Sequence, residues 1–100
     1  MTFKDLKFEK KSFGGFGSKT IIGKYVLSVQ CGSGTYCSPR MDCDKIEDYG
    51  SFEIAVWDDG GDEAWRTKYF YPSEMDDVKG WVSRDEIDEL IIRILQEKNK

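Results

Sequence analysis

The sequence contains no histidine. That removes the base of Ser-His-Asp and Cys-His catalysis, and with it the commonest zinc ligand. Cysteines are few. Cys31, Cys37 and Cys43 make an odd count, whereas a secreted disulfide scaffold more often shows an even one. They are expected to be plain thiols of a reducing compartment. No apolar run approaches the roughly 20 residues of a membrane span. The N-terminal stretch Met1-Thr2-Phe3-Lys4-Asp5-Leu6-Lys7-Phe8-Glu9 lacks the apolar core of a signal peptide. The expectation is a cytoplasmic protein with no membrane contact.

What is present fits one domain over residues 1–100, long enough for one core. Aromatics make up 14% of the chain, so large rings are expected to dominate that core. The net charge of −4 hides a polarity. Residues 1–40 carry a balance of +5, residues 41–89 one of −11, and residues 90–100 one of +2. Such an asymmetry speaks of partners and solubility, not of fold.

The C-terminal segment reads as a helix over Arg84 to Glu97. Ser83 stands three before Glu86, the capping-box spacing, and Val82 and Ile87 form a hydrophobic staple. Ile87, Leu90, Ile91, Ile94 and Leu95 then repeat as one apolar stripe. Asp85, Glu86, Asp88 and Glu89 at the start suit the helix dipole, and Glu89 can pair with Arg93. Elsewhere period-two alternation predicts strands at Ser18–Ile22, Tyr25–Cys31, Ser51–Trp57 and Ala64–Tyr71, with a weaker one near Asp5–Lys10. Gly23-Lys24 suits a type II′ turn, and Asp58-Asp59-Gly60-Gly61-Asp62 a hairpin turn. Ser12–Gly17, the long Gly32–Gly50 and the connection Pro72–Gly80 read as loops. The fold class expected is α+β: a small antiparallel sheet of four or five strands with one C-terminal amphipathic helix packed on it.

Several fragments of chemistry fall short. The cysteines are spaced too widely for the short C-x2–4-C pairs of a zinc site, and three thiols leave a fourth ligand to be found. No metal, cofactor or required disulfide is expected. Gly15-Phe16-Gly17-Ser18-Lys19-Thr20 lacks the glycine before lysine of a phosphate-binding loop, and strand-like residues follow it. Trp57, Trp65, Tyr69 and Tyr71 have rings that could stack on bases, and Lys4, Lys7, Lys10, Lys11, Lys19 and Lys24 supply a basic region. A core role for most of these rings is the favoured reading. The acids Asp58, Asp59, Asp62 and Glu63 on one turn, with Asp76 and Asp77 before the helix, are either solvated charge or a surface for a basic partner. These six are the candidate partner-binding residues.

In order and spacing the chain resembles a family of small phage and prophage proteins of unassigned activity. The landmarks are Tyr25-Val26-Leu27-Ser28-Val29, a loop holding Gly34, Tyr36 and Gly50, then Phe52-Glu53-Ile54-Ala55-Val56. An acidic-Gly turn, Trp65 and Thr67, and Asp76-Asp77-Val78-Lys79-Gly80-Trp81 follow before the closing helix. The likeness spans residues 18–97, with an echo at Asp5-Leu6-Lys7-Phe8, and departs in the longer Gly32–Gly50 loop. It implies a phage-encoded protein of the host cytoplasm. Because such small accessory proteins commonly act by blocking a host protein, and this chain lacks a catalytic base, the expected function is a non-enzymatic accessory protein that binds and inhibits a host factor, of the anti-defence, anti-CRISPR type. The expected partner is a host protein, with nucleic-acid-binding effectors among the candidates because their grooves are basic. Direct nucleic-acid contact is not expected. The alternative is a small structural or morphogenesis component of the virion.

Overall fold

Antiparallel pairing of sequence neighbours organises the chain. The structure is a computed structural model and describes residues 1–12, 14–60 and 64–98. Among these residues β1 (Glu9–Lys10), β2 (Phe16–Ile22), β3 (Tyr25–Cys31), β4 (Phe52–Asp58) and β5 (Lys79–Val82) form one sheet in the order β1-β2-β3-β4-β5. Each strand runs antiparallel to the next. A single helical turn, α1 (Thr67–Phe70), precedes β5, and α2 (Arg84–Lys98) follows it. This is the small α+β architecture expected, with the C-terminal helix on one face of the sheet.

The alternation decides which side chains meet that helix. Tyr25, Leu27, Val29 and Cys31 share a face with Phe52, Ile54 and Val56 through the β3–β4 register. Ile87, Leu90, Ile91 and Ile94 of α2 join them in one buried cluster, each at most 1% exposed. Burying a large aliphatic side chain contributes about 1.5–3 kcal/mol, so this stripe fixes the helix. Ser83 caps it: its Oγ accepts the Glu86 N–H at 3.2 Å. The Phe3–Asp5 turn closes the far side, where the Phe3 N–H donates to Asp88 at 2.6 Å and Arg84 lies over the rings of Phe3 and Phe52.

Four local expectations are corrected. Ala64–Tyr71 is not a strand. Only Trp65 bridges to Trp57, after which Thr67 turns into α1 so that Phe70 can meet Tyr25 edge-on in the core. The weak first strand shrinks to Glu9–Lys10, because Phe3–Asp5 forms a 3-10 turn instead. The connection before the helix contains β5, which begins at Lys79. Arg93 does not turn to Glu89. Its guanidinium donates to the Phe70 carbonyl and covers the rings of Phe70 and Tyr71.

The long loop between β3 and β4 is packed. Tyr49 is buried at its end, where its hydroxyl accepts the Cys43 N–H and donates to the Met41 carbonyl, both at 2.7 Å. Burial pushes the Tyr49 phenol up to about 12, although the Cys43 N–H opposes this. At the other end Gly15, at φ +75°, presses so close to the Cys31 carbonyl that a Cβ would lie 2.1 Å from it. Only glycine permits that contact.

Candidate interaction surface

The predicted acids divide. Asp58 is engaged within the molecule: Arg66 Nε and Nη2 donate to its two oxygens at 2.9 and 2.8 Å. That fork, helped by Lys24, holds the Asp58 carboxyl below the usual range. Asp59 is exposed on the turn, and its N–H donates to the Lys24 carbonyl at 2.9 Å. Asp76 and Asp77 are exposed as well. The Asp77 carbonyl accepts the Thr67 hydroxyl at 2.5 Å, which anchors this segment next to Arg66 in the chain. Asp62 and Glu63 lie outside the described residues.

Beyond Asp76 and Asp77 the same segment leads to a surface that the sequence reading did not single out. Tyr36 and Trp81 stand with ring centroids 5.4 Å apart. Both are large and open, at 44% and 58% exposure. Three contacts fix the pair. The Trp81 N–H donates to the Tyr36 carbonyl at 2.9 Å, and the Tyr36 N–H to Glu53 at 2.7 Å. Arg40 lies 5.0 Å from the Tyr36 ring centroid. Gly80 makes the approach possible, since a Cβ there would lie 2.5 Å from the Tyr36 Cβ. Trp81 itself sits at φ +52°, in the left-handed region, next to a register shift between β4 and β5. A bulky residue there costs about 1–3 kcal/mol, and such strain gathers at functional positions.

Comparison with protein-family models, curated proteins and solved structures returns no match. The chemistry of this surface therefore rests on its own residues. Two open aromatic rings with a stacked arginine have the composition of an interface anchor, where Trp, Tyr and Arg carry most of the binding energy. The sequence signal was Gly80-Trp81, a small residue before a ring, which had served only as a landmark.

The cysteines are free thiols. Cys31 and Cys37 are buried, and Cys43 is partly so. Burial pushes the Cys31 thiol up to about 11, partly offset by a backbone hydrogen bond at Phe16. Cys37 Sγ accepts the Gly32 N–H at 3.2 Å and lies 3.3 Å from the Thr35 hydroxyl. Among the described residues no three His, Cys, Asp or Glu side chains are grouped so as to hold a metal ion. No helix there is long and apolar enough to cross a membrane.

Proposed function

We propose that this chain acts by binding, as a phage-type accessory protein that docks on a host protein in the host cytoplasm and inhibits it. The Tyr36–Trp81 pair is the anchor, and Asp59, Asp76 and Asp77 are the steering charges. The observation that carries this reading is Trp81, a half-exposed ring kept at φ +52° against Tyr36. Strain maintained on an exposed ring has no use in the core. It is explained if the ring's orientation is what a partner meets. The exposed acids favour a basic partner, such as the nucleic-acid groove of a defence effector, because complementary charge speeds encounter.

The immobilised protein should capture such a partner from host lysate, and affinity should then be measured with the purified partner. Trp81→Ala should weaken binding by about 30-fold or more, the loss typical of an anchor residue. D59K/D76K/D77K should mainly slow association, and raising salt from about 0.05 to 0.5 M should weaken the wild type by screening. A Trp81→Ala variant that binds like the parent would remove the anchor, and with it this reading.

A further inference from the structure

Among the described residues no helix packs on the sheet face opposite α2, although Val26, Ser28 and Ala55 at its centre are buried. The strand register places Lys19 and Ile21 of β2 there, with Val26, Ser28 and Gln30 of β3 and Ala55 and Trp57 of β4. Trp65 joins Trp57 edge-to-face, with ring centroids 5.3 Å apart, and remains 52% exposed. Lys19 Nζ lies 5.7 Å from the centre of the Trp57 ring. At the β1 edge of this face runs a groove of about 740 Å³ lined by Lys7, Lys10, Lys11 and Lys19, with Glu9 as the acid among them, and the register sets Lys10, opposite Phe16, on the α2 side of that edge. Lys11 reaches across Gly17 to Gln30 Oε1 at 3.3 Å. A smaller hollow of about 180 Å³ is lined by Trp57, Trp65 and Glu53. Lys19 and Gln30 line both hollows, so the lysine groove and the tryptophan pair form one continuous surface.

We propose that the exposed margin of this face binds single-stranded nucleic acid, with the lysine groove taking the phosphates and Trp65 stacking on a base. Two independent features point to that occupant. Four lysines against Glu9 and Glu53 give a local excess of positive charge in a protein whose net charge is −4. Next to that charge stands an exposed ring, and tracking a backbone with cations while stacking bases on rings is how single strands are held without sequence preference. A protein partner for the basic groove would not need the aromatic platform beside it. A duplex would keep its bases stacked away from Trp65. Direct nucleic-acid contact, not expected from the sequence, becomes available because the fold brings Lys7 and Lys11 to the same edge as Lys19, which adjoins the two tryptophans.

The test needs only the purified full chain and labelled oligonucleotides, so its outcome is independent of the Tyr36–Trp81 anchor. Fluorescence anisotropy with oligothymidylate and oligouridylate of about 12 nucleotides, a length within reach of one such site, is the primary readout. At about 0.15 M salt a Kd of roughly 1–100 µM is expected, the range of non-specific phosphate-driven binding. The log–log salt slope should fall near −1.4 to −2.8, about −0.7 for each of two to four phosphates. Trp65→Ala should weaken binding by about 5- to 150-fold, the loss of one stacked base, and should abolish most of the tryptophan quenching on binding. K11E/K19E should weaken it by at least about tenfold through lost phosphate contacts. Lys68→Glu, on α1, makes the same kind of charge change elsewhere and should bind as the parent does. Each variant is checked by its melting curve. The DNA and RNA arms separate which strand is preferred. No binding of either at about 100 µM, a level at which phosphate-driven contacts register, overturns the proposal. So does equal binding of heparin or polyglutamate with Trp65→Ala unchanged, which would leave only an unspecific basic surface.

Discussion

One buried hydroxyl joins β4 to the segment that leads into β5. Thr67 is 1% exposed, and its Oγ1 accepts the Val56 N–H at 2.9 Å while donating to the Asp77 carbonyl. Thr67→Val keeps the shape and leaves both backbone groups without this partner. Unsatisfied buried groups cost about 1–3 kcal/mol. Urea unfolding should show a loss of that size, and Thr67→Ser should recover most of it. An unchanged midpoint in Thr67→Val would mean that the hydroxyl does not join these segments. Cys31 and Tyr49 make a second residue-scale prediction. Their folded values of about 11 and about 12 lie above 9.0 and 10.0. The unfolded chain therefore releases these protons first as pH rises. The stabilisation is whole below pH 9 and is lost between 9 and 11 for Cys31, and between 10 and 12 for Tyr49. Within each window the loss is about 1.4 kcal/mol per pH unit for one proton. Denaturant titrations at stepped pH should show this decline, and Cys31→Val should remove its earlier part. A Cys31→Val slope equal to the parent's below pH 10 would show that another group titrates there.

At the scale of elements, α2 holds the core closed. Ile91 is 0% exposed at the middle of its apolar stripe. Ile91→Ala should cost about 2–5 kcal/mol, as large-to-small core changes do. A melting curve like the parent's would mean that the helix is not docked through this stripe. This helix was readable because capping, stapling and periodicity agree at Ser83 to Leu95. The strands β2, β3 and β4 were readable from strand-favouring residues and from large apolar side chains alternating toward α2, a pattern that persists in β3 although both its faces are buried. The failures have physical reasons. Trp65, Thr67, Tyr69 and Tyr71 alternate like a strand in residues that favour strands. Yet pairing with β4 ends at Thr67, and the need to bring Phe70 to Tyr25 overrides local preference. β5 spans four residues and includes Gly80, too little for a pattern to show. The surfaces were half legible. The period that puts Phe52, Ile54 and Val56 inside puts Trp57 on the other face, so its ring was assigned to the core against that signal. The neutralisation of Asp58 by Arg66 depends on the path of the turn between them, which composition does not carry.

At the scale of the molecule, the order of strands in space is their order in the chain, whereas the cover of the core comes after all of them. The two arrangements have opposite consequences during synthesis. Every strand of the sheet can pair with the one before it as it is made. The apolar face they create, with Leu27, Val29, Phe52, Ile54 and Val56, nevertheless stays bare until α2 exists. The Phe3–Asp5 turn must wait as well, since its contact from Phe3 to Asp88 joins residues 85 apart. At roughly 5–20 residues per second, the 15 residues of α2 take about one to three seconds to add. Through that interval the nascent sheet is a substrate for chaperones and for association with its own copies. Ribosome-bound chains stalled at Ser83 should be cut readily by protease, and chains extended well past Lys98 should resist. Equal resistance in both would mean that the sheet stands without its helix.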